Sequence, residues 1–577
     1  MHLYYLHDAK WRWRIVISLL LIVATMYVFG FSYRDWGMMD DDYGDVFRSF
    51  TSSSWADVRA FFNGSNAVNY GINPSHAIER HPLPFFEALY RPVWQVFCMI
   101  QVKLLGISPY GYLLVSAAFH ALNCVLLFNI FYSYGSLALS LITTLLFAFH
   151  PVISEWFGVV SRQLYVVNAT LILLTLILYQ SFIKRSNISA YIGSLVLFSV
   201  SILMRETVFF LPGWMTCVTW LYYTMHDDQQ SVVDSFYESL MVTLPYYLIS
   251  LMYLGVRFIL FPVGESAAIK AIPSLGSVIW YLKTRFYDFV TILVDTLGVN
   301  IVPSGYSSIK FLFLLAFLAV IGVIFFYTKK KVLMALMAAG FLLMAWPSFV
   351  LGHQPRYLYE AYPWLVGMIF VGVLFFKRHR NMRRFARMGT TLASCIIGIG
   401  IVHSVSVMQS RECLTYRTSL ALERLVADFR TQDRALCFVG VPNTLFPPSG
   451  IAQAVRMYSG DHGRKVFHDG VLSTYDHTKF NRMARVPCKN LIDVVRIKDG
   501  VRLVSRDASC MWFQMENAFG KSLECCVGTS QACHRSQAHI DEVAVTFDQE
   551  IKSARPLLIT WDYEAQDFRI LDDAEGV

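Results

Sequence analysis

The chain has 577 residues, 55% of them hydrophobic and 16% charged, and a mean hydropathy of +0.45. Soluble domains carry ~25% charged residues, so a wholly soluble protein is excluded and lipid is the expected solvent for most of the chain. The net charge of +8 does not indicate a nucleic-acid partner. The Lys and Arg residues gather in short loops between apolar runs, where the positive-inside rule expects them.

Apolar runs long enough to cross a bilayer recur at 15–32, 110–132, 135–151, 164–183, 189–204, 206–225, 241–261, 309–328, 332–352, 362–376 and 389–408. The expected architecture is an α-helical polytopic membrane protein with about eleven transmembrane helices. The first run follows Lys10, Arg12 and Arg14 without a small-residue cleavage site, so it reads as an uncleaved anchor. With the N-terminus inside, Lys184-Arg185, Lys329–Lys331 and the Lys377–Arg387 cluster all fall on the cytoplasmic side. An odd number of spans then puts the C-terminus on the extracytoplasmic face, facing periplasm in a bacterium or lumen in a eukaryote. Long outer loops are expected at 33–109 and 262–308, with amphipathic interfacial helices near 44–62, 92–105 and 279–297.

Residues 1–408 thus form the membrane domain and 409–577 a soluble extracytoplasmic domain. Seven of the eleven cysteines (Cys413, Cys437, Cys488, Cys510, Cys525, Cys526, Cys533) lie in that tail, as suits an oxidising compartment. A helical pattern at Ser419–Phe429 followed by short β-like runs at Leu436–Val441, Val501–Val504 and Leu557–Trp561 predicts an α+β domain.

Candidate chemistry begins directly after the first run with Asp40-Asp41-Asp42. Three adjacent carboxylates repel one another unless a cation, a proton or water compensates. They suit a general base, or Asp41 and Asp42 as ligands of a hard divalent ion such as Mg or Mn; the bland reading is a solvated acidic turn. Arg91 precedes Pro92 at a helix start, either to bind phosphate or to anchor the helix at the membrane surface. His150, Glu155 and Arg162 join the third and fourth runs on the outer side, where ionisable groups near membrane depth are costly without a purpose. Arg205-Glu206, in the next outer turn, either neutralise each other or aim a charge into a site. Arg356 and Tyr357 stand in the outer turn before the tenth run. Arg257, near the end of the seventh run, is the nearest thing to a mid-span charge. Acids and arginines from five segments therefore share one membrane face. The acids suit activation of an acceptor hydroxyl, and the arginines suit the departing phosphate.

At these residues the chain resembles the GT-C superfamily of membrane glycosyltransferases, most closely the protein O-mannosyltransferase branch with its transmembrane-tetratricopeptide type and bacterial relatives. The similarity lies in Asp40–Asp42 after the first helix, Tyr90-Arg91-Pro92, His120-x-x-Asn123, Phe147-Ala148-Phe149-His150-Pro151 with Glu155 and then Arg162, Arg205-Glu206 where that family often has Lys-Glu, and Arg356-Tyr357-Leu358-Tyr359. It covers about residues 15–375. It implies a polyprenyl- or dolichyl-phosphate sugar donor, an acidic residue of the first loop as catalytic base, and inversion at the anomeric carbon. The tail departs from it: no 34-residue tetratricopeptide period follows the membrane domain. The acceptor, whether protein, lipid or glycan, therefore stays open. A transporter would place charges mid-span, and a noncatalytic assembly subunit would use Asp40–Asp42 only for topology; these are the two competing readings.

Overall fold

The computed structural model describes residues 2–34, 54–63, 90–150, 160–226, 231–260, 359–378 and 383–429, isolated positions such as Gly37, Val46, Ile153 and Phe157, and short strands in the tail. The expected spans at 309–328 and 332–352 and the loop at 262–308 lie outside the described residues.

The described helices follow the apolar runs closely. Helix α1 (His2–Met26) continues through a π turn, Tyr27–Phe31. Helix α2 (Trp55–Phe62) starts at a capping box in which the Ser54 and Asp57 side chains and backbones bond reciprocally. Helices α3 (Pro92–Leu105) and α4 (Pro109–Tyr134) each begin with a proline, whose missing N–H costs nothing in a first turn. Helix α5 is Leu137–Ala148, and α6 is Gln163–Arg185 after a 3-10 turn at Val160–Arg162. Helix α6 ends where Ser186 turns left-handed at φ 51°, and α7 (Ile188–Met204) opens on Asn187, whose side chain caps the Ala190 N–H. A 3-10 turn, Glu206–Phe210, leads into α8 (Leu211–His226), followed by α9 (Val232–Leu260), α10 (Tyr362–Arg378) and α11 (Arg383–Phe429). Among the described residues, four helical segments are long and apolar enough to cross a membrane: Trp11–Phe31, Pro109–Tyr134, Gln163–Arg185 and Val232–Leu260.

Helix α4 is central, packed on α1, α5 and α6, while α6–α7 and α8–α9 form antiparallel hairpins. The core runs through Phe29, Phe128, Phe147, Phe198, Tyr246 and Leu365, all buried. Helix α3, expected at the interface, buries Trp94 and Cys98 against Leu164, Val167 and Met204, and exposes Ile100 and Leu104.

Helix α11 differs from expectation. The predicted last span and the predicted tail helix are one helix of 47 residues, about 70 Å long. No Gly or Pro follows Gly400 within it, so nothing breaks the helix where the membrane domain was expected to end, at 408. It packs against strand β9. The tail strands are β1 (Leu436–Phe438), β2 (Val466–His468), β3 (Val471–Leu472), β4 (Ile492–Ile497), β5 (Gly500–Ser505), β6 (Trp512–Phe513), β7 (Glu542–Thr546), β8 (Leu557–Asp562) and β9 (Asp567–Ile570). Strand β1 lies parallel between β2 and β8, with β9 antiparallel at the edge, and β4-β5-β7 form a separate antiparallel sheet.

A polar lock holds the bundle centre. His120 on α4 approaches the Ala148 carbonyl through Nε2 at 3.1 Å and the Tyr359 hydroxyl through Nδ1 at 2.6 Å. Nε2 must carry the proton to satisfy the carbonyl, so Nδ1 accepts from Tyr359. The same hydroxyl accepts from Asn123 Nδ2 at 3.2 Å, and Asn123 Oδ1 accepts from Thr170 at 2.7 Å. Replacing Tyr359 by Phe leaves the buried ring nitrogen without a donor, which costs roughly 1–3 kcal/mol. Thermal unfolding in detergent is expected to show a lowered midpoint for Tyr359→Phe. Tyr134→Phe, at the opposite and exposed end of α4, is expected to leave the midpoint near wild type.

Candidate functional site

The site is built at the end of the bundle where α3, α6, α8 and α10 begin and α1, α5, α7 and α9 finish. Five of the residues singled out from sequence are described there. Arg91 caps α3, His150 follows α5, Arg162 caps α6, and Arg205 and Glu206 join α7 to α8. Asp40, Asp41, Asp42, Glu155, Arg356 and Tyr357 lie outside the described residues.

Arg205 and Glu206 are sequence neighbours that do not pair with each other. Arg205 is extended (φ −159°, ψ 131°), and successive side chains of extended backbone point opposite ways. Glu206 reaches Arg91, accepting from Nε at 2.9 Å and from Nη2 at 2.5 Å in a fork-to-fork pair. Arg205 turns inward to Glu360, with Nη1 2.6 Å from Oε2, and neither side chain is more than 1% exposed. The Arg205 guanidinium also lies 4.0 Å from the centre of the Tyr165 ring, one turn beyond Arg162. Asn168 donates to Glu360 Oε1 at 2.8 Å, and Thr207 donates to Oε2 at 2.6 Å. Ser201 donates to Asn168 Oδ1 at 2.6 Å, which completes the buried network.

The sequence reading did not single out Glu360 or Asn168. Glu360 directly follows the Arg356–Tyr359 motif, and an acid at the start of an apolar run is the signal that could have found it. Tyr359 and Glu360 together anchor the turn into α10, Tyr359 through His120 and Glu360 through Arg205. His150 is buried with its ring 4.7 Å from that of Tyr362 in the same turn.

The segment after α1 is fastened to α11. The Gly37 N–H donates to Thr415 Oγ1 at 3.1 Å, and any Cβ at Gly37 would collide with the Thr415 carbonyl and the Ser419 hydroxyl. Burial, and after it the Glu412 carboxylate, pushes the Tyr33 hydroxyl up to about 12. The chain therefore enters Asp40–Asp42 from a point held by the helix that continues into the tail. Among the described residues, no three His, Cys, Asp or Glu side chains gather as a metal site, and the proposed ligands Asp41 and Asp42 are not among those residues.

No family model matches the chain, and no curated protein matches it by sequence. Among solved structures it is similar to ArnT from Cupriavidus metallidurans in the apo state, with TM-score 0.43 and 12% identity over 80% of this chain and 87% of that one. It is similar to the Archaeoglobus fulgidus oligosaccharyltransferase tethered with an acceptor peptide, with TM-score 0.38 and 10% identity over 79% of this chain and 63% of that one. A structure of AglB from the same organism, in complex with an inhibitory peptide and a dolichol-phosphate, gives TM-score 0.35 and 10% identity over 79% and 64%. The functional reading rests on the side chains.

Burial pushes the Glu206 carboxyl up, but the Arg91 charge and hydrogen bonds, with the Arg205 charge, outweigh it and hold the group at about 2. A carboxyl lowered on folding adds stability above its unfolded value, near 4.5, and that stability is lost as pH falls toward about 2. Glu206→Gln is therefore expected to lower the unfolding midpoint at neutral pH. The gap between variant and wild type should stay constant down to about pH 4.5 and narrow below it. Unfolding scans across pH measure this directly, and a gap independent of pH would contradict the ion-pair assignment.

Proposed function

We propose that the protein is an integral membrane glycosyltransferase of GT-C type. It takes a sugar from a polyprenyl-phosphate-type lipid and transfers it to a protein, lipid or glycan acceptor on the extracytoplasmic face. The observation that carries this reading is the meeting of Arg91, Arg205 and Glu206 with the Tyr359–Glu360 turn at one end of the bundle. The segments leading to Asp40–Asp42 and to Arg356 join the described structure at that same end, through Gly37 and Tyr359.

In the proposed reaction, an acceptor hydroxyl oxygen attacks the anomeric carbon while the bond from that carbon to the phosphate oxygen breaks. The bonding electrons leave with the lipid phosphate, and the hydroxyl proton passes to a carboxylate of Asp40–Asp42. Attack opposite the leaving group inverts the anomeric centre. Guanidinium groups stabilise the charge that grows on the phosphate. In this reading the departing phosphate meets the Arg91 guanidinium, whose Nε–Nη2 edge is held by Glu206. Glu206 and Glu360 then act as positioning residues that hold Arg91 and Arg205.

Charge along the bundle supports the membrane sidedness. Arg162 caps the start of α6 and Lys184-Arg185 its end, about 33 Å apart along a helix of 23 residues. The basic end fits the cytoplasmic side, which leaves the candidate site facing outward.

The decisive experiment supplies radiolabelled lipid-phosphate sugars to the purified protein in membranes. Asp41→Asn or Asp42→Asn is expected to slow donor consumption at least ~100-fold, the loss of a general base. If both variants consume every donor as fast as wild type, the acidic segment has no catalytic role. If wild type consumes none, the noncatalytic reading takes its place.

A further inference from the structure

Described residues on both sides of Asp40–Asp42 are buried. Before the acids, Phe29 stacks on Phe157 with ring centres 4.2 Å apart, and Tyr33 and Gly37 are buried in turn. After the acids, Val46 is buried. Three residues of chain reach at most about 11 Å, so the Asp40 Cα lies within that distance of the Gly37 Cα. Whatever fixes Gly37 therefore confines the acids to its neighbourhood. A freely swinging acidic turn would need no such anchor.

Gly37 is fixed by α11. Its N–H donates to Thr415 Oγ1 at 3.1 Å, and the Thr415 hydroxyl itself donates to the Glu412 carbonyl at 3.4 Å within the helix. That second bond turns the hydroxyl proton back along α11 and leaves a lone pair for Gly37. Only glycine fits so close an approach, because a Cβ would meet the Thr415 carbonyl and the Ser419 hydroxyl. Thr415, Ser419 and Leu422 are buried at the spacing of a single helix face. The same helix packs against strand β9 of the tail. One element of 47 residues thus holds both the tail sheet and the chain three residues ahead of the acids.

We propose that Gly37 and Thr415 are positioning residues for Asp40–Asp42, and that the helix carrying the tail sets where the acids stand against donor and acceptor. The tail is then part of the catalytic framework, not an appended module. This assignment rests on the glycosyltransferase reading above and deepens it. A misplacement of about 1 Å at a reacting group costs on the order of 10²-fold in rate.

Thr415→Val keeps the size of the side chain and removes the acceptor. With the full-length protein in membranes, kcat for donor consumption is expected to fall ~10-fold or more. KM for the lipid-phosphate sugar should stay within about twofold of wild type, since the groups assigned to the phosphate are untouched. Thr415→Ser restores the hydroxyl and should recover most of the lost kcat. In the background of Asp41→Asn or Asp42→Asn, whichever slows consumption, Thr415→Val should add little, because residues that act as a unit are not additive. A monodisperse Thr415→Val protein with wild-type kcat overturns the assignment, as does a loss that multiplies with that of the Asp variant. If Thr415→Val is not monodisperse, Gly37→Ala decides, because it leaves α11 as it is; wild-type kcat there overturns the assignment. If neither Asp variant slows consumption, there is no acid to position and the assignment falls. A wild type that consumes no donor ends the glycosyltransferase reading and this role with it, whereas an active wild type matched by Thr415→Val removes the role alone.

Discussion

The structure depends on a buried ion pair, Arg205 with Glu360, in which neither side chain is more than 1% exposed. Two charges withdrawn from water cost several kcal/mol each, and their attraction repays this only when the remaining donors and acceptors are also met. Asn168 and Thr207 meet the Glu360 oxygens, and the Tyr165 ring lies against the Arg205 guanidinium. The pair joins the α7–α8 turn to a residue 155 positions later at the start of α10. Its geometry fixes where the turn at Tyr359–Glu360 sits.

From that pair the arrangement at the end of the bundle follows in sequence. Because Arg205 is extended, Glu206 must face the other way, toward α3, and there it takes Arg91. Tyr90 is tied in turn to Tyr253 on α9 and to the Phe62 carbonyl at the end of α2. Helices α2, α3, α9 and α10 and the α7–α8 turn are thus connected through alternating charges and hydroxyls. The apolar core is generic by comparison, since lipid tails are as apolar as Leu and Phe, and packing alone gives membrane helices little directional preference.

Much of the helical framework was legible in the sequence, because length and hydropathy are enforced by the bilayer itself. The runs at 110–132, 164–183 and 189–204 differ from the helices Pro109–Tyr134, Gln163–Arg185 and Ile188–Met204 by only a few residues. The end of α11 was not legible, because hydropathy falls where the helix leaves the apolar region while its hydrogen bonding continues. At the site, composition drew attention to charges but not to their partners. Arg205 and Glu206 read equally well as a mutual pair, since pairing across 115 and 155 positions has no local signature. His120 and Asn123 were recognised as a pattern, yet their task, holding Tyr359, depends on a contact that only the folded bundle makes.

A double-mutant cycle between Arg205 and Glu360, read by unfolding free energy in detergent, tests this framework most directly. Arg205→Met alone and Glu360→Leu alone should each lose about 3–5 kcal/mol, because each strands a buried charge. The double variant should lose far less than the sum, a coupling well beyond the ~0.5 kcal/mol expected of independent sites. Additive losses in the double variant would contradict it, and the end of the bundle would then have to be organised by something other than this pair.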